Sequence, residues 1–235
     1  MRIEPFQLER WMTTYEMDAR WDIAESGIFP MSTREIIALL PPEERASALD
    51  RILDLRLGYS EARGSEELRS LIAATYRETS PDEVLVTTGA IEANFLLFNE
   101  LLSPGDRVVI VDPAYQQLQS VARAIGCDVA LWSLRAQDGF RFDLDELRRL
   151  ATPGTCMIVL NTPHNPTGAM LSDADLREIY ALAEKLDAWV LSDEAYRWLD
   201  LPGQPPLAPP MRARAAGRSP SSAPTARAET STAAR

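Results

Sequence analysis

The sequence predicts an α/β protein with a mostly parallel sheet flanked by helices, and three observations lead to that fold class. Short apolar runs recur at Glu83–Thr88, Arg107–Asp112, Asp128–Trp132, Cys156–Leu160 and Ala188–Ser192. Helical periodicity fills most of the intervals between them, and the pattern contains no internal repeat. Strands that alternate with helices are joined by crossovers, which make neighbouring strands parallel and cover both faces of the sheet.

The elements follow in chain order. Trp11, Tyr15 and Trp21, with Phe29 and Pro30, suggest an N-terminal arm that packs across the molecule or onto a partner subunit. Glu66–Glu78 reads as a helix with Leu68, Leu71, Ile72 and Thr75 on one face. The run Glu83–Thr88 reads as a strand, and Glu92–Leu102 as the helix after it. Pro104-Gly105-Asp106 is a turn ahead of the strand Arg107–Asp112. The helix Tyr115–Ile125 turns Leu118, Val121, Ala122 and Ile125 inward, and the strands Asp128–Trp132 and Cys156–Leu160 come next. Ser172 is placed to cap Asp173–Leu186, with Asp175 completing a capping box and Leu176, Ile179, Tyr180 and Ala183 facing the core. Ala188–Ser192 supplies a further strand.

Charge and composition narrow the function classes. The chain carries 35 acidic and 24 basic side chains, a net charge of -11, which argues against a nucleic-acid-binding surface. No stretch approaches the roughly 20 apolar residues that span a bilayer, and the first residues lack the apolar run of a secretion signal. The expected location is cytoplasmic, with Cys127 and Cys156 as buried thiols of a reducing compartment. Residues 1–208 carry a net charge of -15, whereas 209–235 hold five arginines against Glu229 alone. That tail has one large apolar residue, Met211, so it is expected to be disordered. Its abrupt change of composition is read as translation out of the original frame, with a plain linker or a basic tail for an acidic partner as alternatives.

Candidate site residues cluster at the C-terminal ends of the predicted strands, where open α/β sheets bind ligands. Gly89, Ala90 and Ile91, in Thr87-Thr88-Gly89-Ala90-Ile91-Glu92-Ala93, stand where a helix start offers N–H groups to an anion. Tyr115, in Asp112-Pro113-Ala114-Tyr115, is placed to lie flat over a planar ligand. Asn165 sits in the Pro-bracketed stretch Asn161-Thr162-Pro163-His164-Asn165-Pro166-Thr167-Gly168, rigid enough to hold an amide on a ring oxygen. Asp193, in Ser192-Asp193-Glu194-Ala195-Tyr196, would keep a facing pyridine nitrogen protonated, and Tyr196 can give its hydroxyl to the oxygen that Asn165 serves.

In combination these motifs resemble the fold-type I pyridoxal-phosphate enzymes, specifically the class I/II aminotransferase family, over about Ile23 to Leu199. The resemblance implies pyridoxal 5'-phosphate as cofactor, an amino acid as substrate and a homodimer as the assembly. It assigns the Gly89-Ala90-Ile91 position to the phosphate and Tyr115 to stacking on the ring. Asn165 and Tyr196 fall on the phenolic oxygen, and Asp193 on the pyridine nitrogen. Tyr59, in Leu57-Gly58-Tyr59-Ser60, matches a tyrosine that reaches the phosphate of the neighbouring subunit. On this basis 1–50 is an N-terminal arm and small-domain segment, 51–208 a partial pyridoxal-phosphate-binding large domain, and 209–235 a disordered tail. His164 is read as loop structure, because the family gives proton transfer to a lysine.

The departures are as informative. The family's coenzyme-anchoring (Schiff-base) lysine follows the aspartate by roughly 30–40 residues, where no lysine occurs here, and none follows Lys185. Lys185 lies before the strand that carries Asp193, on a helix whose inward positions are apolar. No catalytic residue is therefore assigned. The sequence is expected to be that of a C-terminally truncated, aminotransferase-like chain, inactive as written and poorly soluble because its sheet edge is open. Two alternatives stand beside this: a noncatalytic coenzyme- or partner-binding protein, and an arginine-modifying enzyme. The stretch Asp22-Ile23-Ala24-Glu25-Ser26-Gly27 is similar to the arginine-modifying branch that includes capreomycidine synthase.

Overall fold

A computed structural model of the chain describes residues 2–21, 23, 26–76 and 79–199. Strands β1 (Arg107–Asp112), β2 (Asp128–Ser133), β3 (Thr155–Asn161) and β4 (Trp189–Asp193) form one parallel sheet in the order β2-β1-β3-β4. Val109 pairs with Ala130 and Ile158, and Ile158 with Val190, so one apolar row crosses the whole sheet. The chain moves outward from β1 to β2 and then returns past β1 to β3. The resulting switch point lies between the C-terminal ends of β1 and β3, where the twist of an open sheet leaves a crevice.

Side-chain alternation divides the core into two layers. Val108, Ile110, Met157, Val159 and Leu191 face helices α5 (Gly89–Leu101) and α6 (Gln116–Ile125), packing on Phe98, Leu118, Val121 and Ala122. Val109, Ile158, Leu160 and Val190 face α7 (Leu144–Leu150) and α8 (Asp173–Leu186), packing on Leu147, Leu176, Ile179 and Ala183. All seven residues of β3 are buried, as a central strand covered on both sides requires. The capping box of α8 forms as expected: Ser172 accepts from Asp175 N, and the Asp175 carboxylate accepts from Ser172 N. Both cysteines are free thiols, Cys156 buried and Cys127 half-buried.

Three expectations about elements are corrected. Glu83–Thr88 is not a strand of the sheet: Pro81–Glu83 forms a 3-10 turn, and Val86 N donates to Arg63 O at 3.0 Å. Its alternation is real, with Val84 buried and Leu85 exposed, but alternation specifies an extended chain and a ladder also needs a neighbour. Among the described residues no strand lies beside it. The helix expected at Glu66–Glu78 is α4 (Glu66–Ala74), and it buries Arg69 and Ala73 while Leu71 and Thr75 face outward. The long Arg69 side chain takes that face because Gly64 O at 3.0 Å and Pro81 O at 2.7 Å accept from its guanidinium. Helix α5 begins at Gly89, three residues before the expected start.

Gly64 has φ +90, and a Cβ there would lie 2.3 Å from Val86 Cγ2. Gly64→Ala is expected to cost about 1–3 kcal/mol, through backbone strain and the clash together. Urea unfolding would show it as a lower midpoint, and an unchanged midpoint would mean that this loop is not held against Val86.

Ahead of α4 lie α1 (Gln7–Tyr15), α2 (Thr33–Ala38) and α3 (Pro42–Leu53). The arm does reach across to the sheet domain, but through Pro5, Phe6, Gln7 and Glu9. Trp11, Tyr15, Trp21 and Phe29, the aromatics expected to pack, are each more than half exposed. No helix among the described residues is long and apolar enough to cross a membrane. The tail 209–235, and Asp22, Ala24 and Glu25 of the N-terminal motif, lie outside the described residues.

Candidate functional site

Asp193 ends β4 and pairs in register with Asn161, which ends β3. That pairing ties the two strand ends together: Asn161 Nδ2 at 2.9 Å and Thr162 N at 3.0 Å both donate to the Asp193 carbonyl. The carboxylate points the other way, accepting from Asn94 Nδ2 at 3.0 Å and from Ala195 N at 3.1 Å. Asp193 is only 6% exposed, and burial pushes its carboxyl above the ordinary range, while the bonds from Asn94 and Ala195 pull it back. Among the described residues no cation forms an ion pair with it. A buried carboxylate in that condition can accept a further N–H.

The Pro-bracketed loop after β3 is fixed at both ends of Asn165. Its backbone N donates to Asn161 Oδ1 at 2.7 Å, and its Nδ2 donates to the Tyr196 hydroxyl at 2.9 Å. The same hydroxyl shares a 2.8 Å hydrogen bond with Ser26 Oγ from the N-terminal segment. His164 is buried in this loop, with Nδ1 2.7 Å from Thr167 Oγ1 and the ring edge-on to Phe142. Burial lowers its pKa, against opposing effects of the Pro113 carbonyl and Asp112. Its backbone closes the turn as well, His164 N donating to Ala169 O and Gly168 N to His164 O. These bonds fit a loop-holding histidine.

Tyr115 stands at the start of α6, beyond β1. Its hydroxyl donates to Glu9 at 3.0 Å, and the Phe6 ring meets it edge-on at 4.6 Å. Burial first, and then Glu9, raise the phenol's pKa, so it stays a neutral donor. Gly89 opens α5 with φ +81 and with open space where a Cβ would be, leaving the backbone approachable. Gly89, Ala90 and Ile91 form the first turn, whose N–H groups have no intrahelical acceptor. Gly89 N donates to Thr87 O, and Glu92 reaches back to accept from Thr88 N at 2.6 Å. Gln117 Nε2 donates to Ile91 O, which ties this turn to α6.

Asp193, Asn165, Tyr196 and Tyr115 thus stand at the ends of β4, β3 and β1, around the switch point. Tyr59 is fully exposed on the loop before α4 and makes none of these contacts. Lys185 is exposed in the last turn of α8. Three contributors were missed in the sequence reading. Asn94 is the lone polar residue in Ala93-Asn94-Phe95-Leu96-Leu97-Phe98, a visible signal of a buried amide with a partner. The half-buried ion pair Glu194–Arg197, with the guanidinium 4.8 Å from the Tyr76 ring, had only its i,i+3 spacing to show. Ser26 falls in the Asp22–Gly27 stretch named above, but its contact with Tyr196, 170 residues away, had no local signal.

The family model "Aminotransferase class I and II" matches residues 38–204. Capreomycidine synthase of Streptomyces vinaceus is 37% identical over 203 residues, covering 86% of this chain and 51% of that protein. The arginine–pyruvate transaminase AruH of Pseudomonas aeruginosa is 33% identical over 200 residues, covering 79% of this chain and 51% of that one. The chain therefore spans about half the length of these curated relatives. Among solved structures, a PLP-dependent aminotransferase from Streptococcus suis superposes with a TM-score of 0.76 at 34% identity, covering 83% of this chain and 52% of that one. The PLP-dependent cyclase OrfR gives 0.70 at 36% identity, covering 82% and 49%. Fold and family match agree: the chain belongs to the class I and II aminotransferases, pyridoxal-phosphate enzymes of fold type I.

Proposed function

We propose that the strand-end cluster binds pyridoxal 5'-phosphate and that the site serves aminotransferase-type chemistry on an amino acid. The observation that carries this reading is the Asp193 carboxylate, 6% exposed and hydrogen-bonded, yet without a cationic partner among the described residues. A protonated ring nitrogen supplies the missing partner. The buried Asn94 Oδ1, which has no protein donor, adds an acceptor at the same place. When bound, the coenzyme supplies an electron sink for bonds at the substrate's α-carbon.

Each residue then has a separate task. Asp193 holds the ring proton, and Tyr115 covers one face of the ring. Asn165 and Tyr196 donate to the phenolic oxygen, while the Gly89-Ala90-Ile91 turn receives the phosphate. Tyr59, exposed on its own chain, is free to reach the phosphate of a partner subunit in a homodimer. Lys185, the one lysine of these 235 residues, is exposed on α8, so these residues are proposed to hold the coenzyme through noncovalent contacts.

Titrating the chain with pyridoxal 5'-phosphate tests the reading. A saturable change in the coenzyme's absorbance is expected, weakened in Asn165→Ala, with borohydride fixing no stoichiometric coenzyme to the polypeptide. Absence of saturable binding would refute the coenzyme site. Stoichiometric fixation would refute the noncovalent reading.

A second reading concerns the substrate. Both curated relatives reported above act, by name, in capreomycidine synthesis or on arginine, and one structural relative is a cyclase. We infer an arginine-like amino acid. Arginine added to the coenzyme-loaded chain is expected to perturb the absorbance at lower concentration than aspartate, and equal potency would set this reading aside.

A further inference from the structure

The Tyr196 hydroxyl is the meeting point of two groups from distant parts of the chain. Asn165 Nδ2 lies 2.9 Å from it and Ser26 Oγ 2.8 Å. A phenol has one proton to donate and an oxygen that accepts two bonds. Asn165, through its amide N–H, fills one acceptor position and leaves the phenol's own proton uncommitted. The direction of that proton is then decided by Ser26. When the serine donates, both acceptor positions of Tyr196 are filled, and its O–H must point to a third group. When the serine accepts, the proton is spent on it.

We propose that Ser26 is a positioning residue that donates to Tyr196 and so turns the Tyr196 proton toward the ligand's ring oxygen. This rests on the coenzyme reading above, since that oxygen is the acceptor at stake. The arrangement couples the N-terminal segment to the ring site: ligand binding is favoured when the segment is seated, and the segment is held more firmly once the ligand has fixed the proton. Reciprocity of that kind follows from linkage between the two events.

The experiment is a double-mutant cycle on the full chain with two readouts. The first is hydrogen exchange of the 26–31 stretch in the coenzyme-free chain. Ser26→Ala and Tyr196→Phe are both expected to speed it, and the double variant to go no faster than either. The second is affinity for pyridoxal 5'-phosphate. Ser26→Ala is expected to weaken it about 3- to 10-fold, the range of one hydrogen bond, and Ser26→Thr to retain most of it. In the Tyr196→Phe background, Ser26→Ala should change nothing further.

Full additivity of the two substitutions in affinity would overturn the proposal, since Ser26 would then act independently of Tyr196. So would an unchanged affinity in Ser26→Ala, or a loss that threonine does not rescue. For a 3-O-methyl coenzyme, whose ring oxygen is blocked, the Ser26→Ala penalty should shrink; a penalty of undiminished size also counts against the proposal. If exchange shows the contact but the unsubstituted chain binds no coenzyme, the coenzyme reading itself has failed, and the proposed direction of the proton falls with it. That pattern differs from binding without coupling, which removes the role of Ser26 alone.

Discussion

Replacing Asp193 with asparagine is expected to stabilise the coenzyme-free chain at neutral pH while weakening pyridoxal-phosphate binding about 10- to 100-fold, the span of a charge-assisted hydrogen bond. The two effects have one cause. Asp193 is buried at the end of β4, and burial raises its carboxyl above the ordinary aspartate value of 3.8. A group whose pKa is raised by folding favours the folded state fully below its unfolded pKa, and that advantage is lost as pH rises through the folded value. Wherever the pH lies above that folded value, the wild-type chain bears the penalty of a charged, desolvated carboxylate. Asparagine removes the charge and keeps the shape: its Oδ1 can still accept from Ala195 N, and its amide can face the unpartnered Asn94 Oδ1. Denaturant unfolding of both chains, repeated stepwise from neutral to acid pH, should show the variant's advantage shrinking as the wild-type carboxyl takes up its proton. A variant less stable than wild type at neutral pH would show that the carboxylate is already compensated within the protein.

Phe98→Ala is expected to cost about 3–5 kcal/mol, the usual range for emptying a buried aromatic site. Phe98 is fully buried on α5, four residues after Asn94, in the layer that also holds Leu118, Val121, Met157 and Leu191. Those neighbours belong to α6, β3 and β4, so no single side chain can collapse into the space. The loss is a large share of the roughly 5–15 kcal/mol that holds an ordinary domain together. Because the helix that loses its anchor also carries Asn94, coenzyme affinity should fall in parallel. Phe98→Leu, which keeps most of the volume, should lose about 1 kcal/mol. Urea midpoints decide the matter, and a loss in Phe98→Ala no larger than in Phe98→Leu would mean that α5 is not tightly packed on the sheet.

The parts of the molecule that were legible in the sequence are those decided by short-range chemistry. β1, β2, β3 and β4 lie within one residue of their expected ends, because each is an apolar run between a turn and a helix. The capping box at Ser172 is a four-residue signal and formed as read. The strand-end residues Tyr115, Asn165, Asp193 and Tyr196 were nameable because their spacing from the strands is itself local. What escaped depends on partners far along the chain. Val84, Leu85 and Val86 alternate as a strand does, but no pattern within them says whether a neighbour will pair. Arg69 is buried because two carbonyls from separate loops accept from its guanidinium, and a hydrophobic periodicity assigns that face to leucine instead. The contact of Ser26 with Tyr196 became visible only when the fold brought the two together.

Helix α5 is a ruler. Its first turn begins at Gly89 and its Asn94 holds Asp193, both on one rigid rod tied to α6 through Gln117 and Ile91 O. At 1.5 Å of rise per residue, five residues separate the two stations by about 7.5 Å along the axis. On the proposed reading, one station receives the phosphate and the other supports the carboxylate that meets the ring nitrogen. A ligand spanning both must then match a fixed length. Adding a methylene between ring and phosphate changes no charge and removes no hydrogen-bonding group, yet it leaves one end off its mark. Discrimination at this site would accordingly be metric: analogues would be sorted by reach before they are sorted by chemistry.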